Sequence, residues 1–325
     1  MEASSSRPIP SRPPVWQTLL AFGIVYFVWG STYLAIRVGV REMPPFLMAG
    51  MRFTAAGAVL FGWVLARGEK MPSRRQWMSI GLLSVLFFVL DYGLLFWAEQ
   101  RVPSGITAVM MAMIPVFMAL SEIALLRTQR LTWQLGLALL IGIAGVGVLV
   151  SRTLNVAGVP IDPAGALALM VASMSWAISS VLTRKLPLPA SKVVNSGAQM
   201  LAGGIFLALT AAGLGEFRGF HVAAVSRGAW FALLYLIVAG SIIAFTAYLW
   251  LIDHESPTKV STYAYVNPVV AVLIGYFLGN ETLGPRTILG SGLVLLSVVV
   301  ITTLRAKKPA PRAATIDGEA KTASS

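Results

Sequence analysis

The sequence predicts an all-α polytopic membrane protein, with ten transmembrane helices forming two inverted five-helix repeats around a central cavity. Three observations lead to this fold class. Hydrophobic residues make up 57% of the 325 residues and charged residues 12%, whereas soluble globular proteins carry about 25% charged residues. The apolar residues fall into ten stretches of about twenty, the length that a helix needs to cross a bilayer. The two halves of the chain also resemble each other.

The ten stretches are apolar on all sides, as helices in contact with lipid and with one another can be. They lack the alternation of a membrane β-barrel, so helices are expected. The predicted spans are 16–38, 45–66, 76–98, 103–126, 132–151, 162–183, 191–213, 228–251, 257–279 and 285–304.

The two ends of the chain are polar. Residues 1–15 form a Pro/Ser-rich lead without the short apolar core of a cleavable signal peptide. Residues 305–325, RAKKPAPRAATIDGEAKTASS, have the composition of a disordered tail. Two units are expected between these ends, 16–151 and 152–304.

The basic residues predict the orientation of the chain. With the N-terminus inside, seventeen Lys and Arg residues face the cytoplasm and seven face outward, and cytoplasmic loops carry the excess of positive charge. Both termini are therefore predicted to be cytoplasmic. The net charge of +12 lies in loops and tail, so no nucleic-acid partner is expected.

Internal similarity appears at two offsets. An offset of 147 pairs the following residues: Trp29 with Trp176, Arg37 with Arg184, Gly50 with Gly197, Gly57 with Gly204 and Leu60 with Leu207. An offset of 153 pairs Trp97 with Trp250, Pro115 with Pro268, Val116 with Val269 and Leu120 with Leu273. Because five spans is an odd number, the second repeat enters the membrane from the opposite side. Inverted repeats are typical of alternating-access carriers with a midplane substrate site.

Two charged residues lie well inside predicted spans. Arg52 interrupts the apolar run FLMAGMRFTAAGAVLFGWVL, and Asp91 lies at a similar depth in the next span. A charge in hydrocarbon persists where it has a partner or faces a wet cavity. An ion pair between Arg52 and Asp91 is expected, either fixing the packing of the helices or binding a zwitterionic substrate. Arg52 reaching toward the membrane surface is the remaining alternative.

Catalytic and metal motifs are not found in the sequence. It has no cysteine, two histidines, and neither H-E-x-x-H nor a Walker A pattern, so no enzyme activity, cofactor or metal is expected. Gly142, Gly145 and Gly147 lie within one predicted span and are interpreted as helix-packing residues.

Polar and aromatic side chains inside the spans are candidates for substrate binding, because their polar tips need partners that a wet cavity supplies. The candidates are Trp29, Tyr33, Arg52, Asp91, Tyr92, Met111, Trp176, Tyr248, Tyr263, Tyr265 and Asn267. Pro115 and Pro268 are hinge candidates, since proline removes a helical hydrogen bond.

Four stretches resemble signatures of the EamA family of the drug/metabolite transporter superfamily, near its YedA- and YddG-like exporters: FVWGSTYLAIRVGV, PPFLMAGMRFTAAG, AEQRVPSGITAVMMAMIPVF and STYAYVNPVVAVLIGYFLGNETL. The resemblance covers about residues 16–304. It implies a ten-helix inner-membrane carrier with a central cavity that exports amino acids or related small metabolites. The chain departs from the family pattern at Asp91–Tyr92.

The functional prediction is therefore an exporter of amino acids, bulky apolar ones included, or of related zwitterionic metabolites. An exchanger of phosphorylated sugars or nucleotide sugars is the alternative within transport, although it would need several basic residues at midmembrane. A passive pore, a scramblase and a membrane-embedded interaction protein also stay open. The expected partners are a small-molecule substrate and lipid, with monomer and homodimer both open.

Overall fold

The computed structural model describes residues 14–126, 132–150, 161–255, 257–260 and 262–306, whose regular elements are all helical. Most of the predicted polar lead and tail, residues 1–13 and 307–325, lies outside these residues. The helices, numbered in chain order, are α1 Val15–Val40, α2 Pro45–Ala66, α3 Arg74–Glu99, α4 Ser104–Leu126, α5 Trp133–Val150, α6 Pro163–Leu182, α7 Lys192–Gly213, α8 Arg227–His254, α9 Tyr263–Gly279 and α10 Pro285–Ala306.

Helices α1 to α8 are each long and apolar enough to cross a membrane. The helices α9 and α10 are apolar but offer shorter stretches, Tyr263–Gly279 and Pro285–Ile301. The predicted bounds agree closely with the observed ones except at α9, where a separate short helix, Pro257–Val260, precedes the long one.

Local sequence signals explain several helix starts. A capping box begins α3, because Ser73 Oγ accepts a hydrogen bond from the Gln76 amide while the Gln76 side chain accepts one from the Ser73 amide. The side chain of Ser191 caps α7 in the same position. Prolines stand in the first turn of α2 (Pro45) and α6 (Pro163), where a missing amide hydrogen costs nothing.

Contacts between helix ends divide these ends into two groups. The end of α1 lies beside the start of α8, where Glu42 meets Ser226. The end of α6 lies beside the end of α4, where Arg184 meets Glu122, so the molecule has two faces. We call the face on which α1 begins the N-terminal face. The opposite face, where α1 ends and α2 begins, is called the distal face.

The most extensive contact between two helices joins α2 and α7, and glycines allow it. A Cβ atom at Gly57 would lie 2.3 Å from the Leu201 amide nitrogen, and one at Gly204 would lie 2.3 Å from the Thr54 amide nitrogen. Small residues of this kind let two backbones approach closely inside a membrane.

The other helices form a regular set of contacts. The helix α5 packs against α10, and α4 packs against α9. The helix α1 packs against α8 and α9, while α6 packs against α3 and α4. The predicted packing role is confirmed for Gly142 and Gly145, where an added Cβ would lie 2.8 Å from Met113 Cε and from Gly290 O respectively. Gly147 faces open space, so that part of the prediction is wrong.

Large apolar side chains cover the outside of the helices. Phe27, Leu140, Phe231, Phe277 and Leu278 each expose more than 60% of their surface. Such a surface would be costly in water, and it matches the hydrocarbon of a bilayer. The composition of the helices and their exposed surface together describe a multi-pass membrane protein.

Candidate functional site

Two π-helical segments lie in the middle of the molecule, Val85–Gly93 within α3 and Leu236–Ile243 within α8. Segments of this kind are uncommon and often occur at functional sites. The first carries Asp91 and Tyr92, and the second carries Gly240 and Ser241.

Arg52 of α2 lies between these two segments and is 3% exposed. Its Nε donates a hydrogen bond of 2.9 Å to Ser241 Oγ. Its guanidinium carbon lies 4.7 Å from the ring centroid of Phe53 and 5.4 Å from that of Tyr92. A Cβ at Gly240 would come within 3.2 Å of Arg52 Nη2, so glycine leaves room for the guanidinium. Among the described residues, Arg52 Nη1 has no hydrogen-bond partner.

The predicted ion pair between Arg52 and Asp91 is wrong. The ion pairs that join described residues do not include these two, and Arg52 turns toward Ser241 of α8 instead. Asp91 is 1% exposed, and its Oδ1 has no hydrogen-bond partner among the described residues. The positions of Arg52 and Asp91 within their predicted spans placed both residues at the same depth in the membrane. These positions could not give the direction in which each side chain leaves its helix.

One aromatic cluster joins α1, α8 and α9. The ring centroid of Trp29 lies 5.0 Å from that of Tyr248 and 5.5 Å from that of Tyr263, and the two tyrosine rings lie 5.7 Å apart. Trp29 Nε1 also donates a hydrogen bond of 3.1 Å to the Gly240 carbonyl oxygen. We call Trp29, Tyr248 and Tyr263 the first aromatic cluster.

A second aromatic cluster joins α2, α3 and α6. The ring of Trp176 lies 4.8 Å from that of Phe87 and 6.0 Å from that of Tyr92. Tyr92 in turn lies 4.5 Å from Phe53 and 5.9 Å from Phe88. We call these five residues the second aromatic cluster. Because Tyr92 and Phe53 both face Arg52, the guanidinium adjoins this cluster directly.

The remaining candidates are more scattered. Tyr33 packs against the same apolar core as Tyr92, and Ser173 Oγ donates a hydrogen bond of 3.4 Å to Met111 Sδ. Asn267 is 7% exposed and its Oδ1 has no partner among the described residues. Tyr265 is half-buried, and the ring contacts found between described residues do not include it.

Sequence reasoning missed several residues that the structure brings to the same place, namely Phe53, Phe87, Phe88, Gly240 and Ser241. One signal was available, because a small and polar pair interrupts the apolar run LIVAGSII. Phenylalanines in an apolar span give no such signal, since they look like ordinary core residues.

The two prolines differ in their surroundings. At Pro115 the helix α4 is interrupted by a turn at Ala112 and Met113. At Pro268 the helix α9 continues without interruption. Pro268 is the sixth residue of α9, beyond the first turn, so it removes the amide that would bond to the Ala264 carbonyl, and α9 accommodates this loss without a break. The hinge roles of both prolines stay predictions.

Three carboxylates bind helix starts on the distal face. Glu281 Oε1 accepts hydrogen bonds from the amide and the hydroxyl of Ser104, at 2.6 and 2.7 Å, and its Oε2 accepts one from the Gly105 amide at 3.0 Å. Glu216 accepts hydrogen bonds from the amides of Phe46 (3.4 Å) and Leu47 (2.8 Å) at the start of α2.

Glu42 binds the start of α8, accepting hydrogen bonds from the amide (2.6 Å) and the hydroxyl (2.8 Å) of Ser226. These bonds hold the pKa of Glu42 below its usual value. Burial raises the pKa of Glu216, against the opposing effect of its two amide donors. The pKa values of Glu42 and Glu216 are thus shifted in opposite directions from the usual carboxyl value.

The site is suited to binding an organic anion or zwitterion. A buried guanidinium with an N–H donor that has no hydrogen-bond partner can bind a carboxylate. The faces of aromatic rings can bind apolar groups or cations. In the described part of the chain, no group of three or more acidic or histidine residues is placed to hold a metal ion.

Comparison with known proteins assigns the family. The model of the EamA-like transporter family matches residues 16–151 and again residues 163–303. The chain is 40% identical to the "Uncharacterized inner membrane transporter YedA" of Escherichia coli (strain K12), over 88% of this chain and 92% of the relative. It is 27% identical to "Protein PecM" of Dickeya dadantii (strain 3937), over 84% and 88% of the two chains.

A solved crystal structure with 22% identity supports the fold alone, with a TM-score of 0.58 over 92% of this chain and all of the other. The two family matches and the relative at 40% identity together cover nearly the whole helical region. The chain belongs to the EamA-like transporter family.

Proposed function

We propose that this membrane transporter exports amino acids, or related small zwitterionic metabolites, by alternating access. Its ten helices would form two inverted five-helix units, 16–151 and 152–304, around a central site. Both termini would lie in the cytoplasm, because this orientation assigns seventeen Lys and Arg residues to predicted cytoplasmic segments and seven to outer ones. The distal face would then lie on the side of the inner membrane opposite the cytoplasm.

The helix contacts support the inverted repeat. Three contacts join helices that would be counterparts: α2 with α7, α4 with α9 and α5 with α10. The contacts of α1 with α8 and α9 correspond to those of α6 with α3 and α4. The π-helical segments also occupy counterpart helices, α3 and α8. Exchanging the two halves thus reproduces the contacts named here.

The observation that carries the proposed substrate class is the unpartnered Nη1 of Arg52 beside the aromatic clusters. Burying a charged donor without an acceptor is costly, and a substrate carboxylate would supply that acceptor. The rings of Trp29 and Trp176, one in each cluster, would contact the rest of the substrate. The chain offers one buried arginine here, whereas a phosphorylated substrate is typically bound by several basic groups.

Counterflow in proteoliposomes tests the proposal. Vesicles loaded with a millimolar unlabelled amino acid are diluted into trace amounts of the same radiolabelled amino acid, and protein-free vesicles serve as the control. A carrier gives transient accumulation of label that depends on the internal substrate, and we expect this for at least one apolar or aromatic amino acid. Accumulation only with phosphorylated sugars would identify the alternative substrate class. Equilibration of label without any effect of the internal substrate would indicate a pore and overturn the proposal.

A further inference from the structure

We propose that Glu42, Glu216 and Glu281 act together as a latch that holds the distal face closed, and that this latch must open in the transport cycle. The inference rests on the proposed alternating-access function and goes beyond it by naming the contacts that break. Each carboxylate crosses between the segments 16–151 and 163–303 that match the family model. Glu42 reaches from the first to the second, and the other two reach from the second to the first.

The latch uses the unpaired amides of helix starts. The first amides of a helix lack partners within the helix, and its N-terminus carries partial positive charge. The residues that precede α2 and α4, Pro44 and Pro103, provide no side-chain cap. Glu216 and Glu281 supply the missing acceptors from the other half of the chain. Separating the halves would therefore leave these amides and carboxylates without their partners.

Glu281 is the central member of the latch. Its carboxylate lies 3.4 Å from Arg37 Nε, and the two side chains are 9% and 19% exposed. Arg37 Nη1 also donates hydrogen bonds to the carbonyl oxygens of Glu99 (3.1 Å) and Val102 at the end of α3. A Cβ at Gly275 would lie 2.5 Å from Glu281 Oε2, so the glycine provides the space that this carboxylate occupies.

A related ion pair on the N-terminal face has a more exposed arginine. Arg184, which the repeat offset of 147 aligns with Arg37, forms an ion pair of 2.9 Å with Glu122. The Arg184 side chain is 56% exposed, compared with 19% for Arg37, whereas the two carboxylates are similarly buried, 5% for Glu122 and 9% for Glu281. Removing one partner of a buried ion pair costs more than removing one partner of an exposed pair. The distal pair, which has the less exposed arginine, is the closed one in this structure, and the two pairs exchange roles in the transport cycle.

A single-cysteine reporter tests the latch, because the native chain contains no cysteine. Thr107 of α4 is fully buried one turn from Ser104, so Thr107→Cys reacts with a maleimide only when the distal face opens. Purified full-length protein is labelled, and its reaction rate is measured with and without latch variants. This readout does not require transport.

We expect Glu281→Gln to raise the labelling rate about tenfold, since it removes one charged acceptor. The triple Glu→Gln variant should raise it further. Gly275→Ala should act like Glu281→Gln without changing any charge, because its methyl group displaces the carboxylate. The matched control is Asp253→Asn, since Asp253 is a carboxylate whose ion pair with Lys192 lies within the second segment and does not join the two halves.

A second reporter, Ser297→Cys on α10, detects general loosening, because Ser297 is fully buried and bonded to Ala138 of α5, away from the latch. An unchanged Thr107→Cys rate in the triple variant would overturn the latch, and so would an equal rise at both reporters. A selective rise together with absent counterflow would leave the latch standing and refute the proposed transport function.

Discussion

Replacing Gly57 of α2 by alanine should destabilise the protein, because the added methyl group has no space. Its Cβ would lie 2.3 Å from the amide nitrogen of Leu201 and 2.6 Å from the Leu201 Cα. Ordinary contacts begin at 3.4 Å, so α2 and α7 would have to separate by about 1 Å. Both obstructing atoms belong to the backbone, and no side-chain rotation can relieve the contact.

The size of the effect follows from this separation. A gap of about 1 Å forfeits up to half of the van der Waals attraction between the atoms concerned, and overpacked cores typically lose about 1–3 kcal/mol. At roughly 2–4 °C per kcal/mol, that corresponds to a fall in melting temperature of about 2–12 °C. Gly204→Ala should behave in the same way, because its Cβ would lie 2.3 Å from the Thr54 amide nitrogen.

Gly62→Ala is the matched control. Gly62 lies on the same helix, and an added Cβ would meet nothing within 4 Å. There alanine should be neutral or stabilising, because it favours the helix by up to about 1 kcal/mol. The assay is thermal unfolding of the three purified variants in one detergent, followed by scanning fluorimetry and by size-exclusion recovery. Equal melting temperatures for Gly57→Ala and Gly62→Ala would refute the close packing of α2 on α7.

Three further predictions follow from the site and the distal face. Trp176→Ala should raise the KM of counterflow for aromatic amino acids more than for alanine, because it removes ring contacts; an equal rise for both would argue against an aromatic subsite. Pro115→Ala should slow transport more than Pro268→Ala, with substrate binding retained, because only Pro115 adjoins a break in its helix; equal wild-type rates would exclude the hinge. The hydrogen bonds from Ser226 to Glu42 stabilise the protein at pH values above the usual carboxyl pKa of 4.5, and this contribution is lost as pH falls through the lowered pKa. The difference in melting temperature between wild type and Glu42→Gln should therefore be constant near neutral pH and disappear in acid. A difference that grows in acid would contradict this prediction.

The helices could be predicted from sequence because hydrocarbon permits few alternatives. Runs of about twenty apolar residues had to be helices, and the predicted bounds of α2, 45–66, are the observed ones. The pairs Gly50 with Gly197 and Gly57 with Gly204 were found by internal comparison, and the structure places all four where α2 meets α7. Glycine is informative here because close approach of two backbones excludes other side chains.

The candidate site was predicted less well, because its geometry depends on details that composition does not encode. The π-helical segments change the direction in which α3 and α8 present their side chains. Arg52 contacts Ser241, which lies in the segment of α8, rather than Asp91 in the segment of α3. The roles of the distal carboxylates were not predicted either. In the sequence Glu42 and Glu281 look like ordinary loop residues, because their partners are distant along the chain.

The most direct test of the proposed site is a comparison of two ligands on two proteins. The ligands are an amino acid that gives counterflow and its methyl ester, which lacks the negative charge, and their Kd values are measured by calorimetry for wild type and Arg52→Met. If Arg52 binds the substrate carboxylate, wild type should prefer the acid by at least about tenfold, or about 1.4 kcal/mol, and Arg52→Met should lose that preference while it binds the ester nearly as wild type does. The same preference for the acid in both proteins would contradict the proposed role of Arg52.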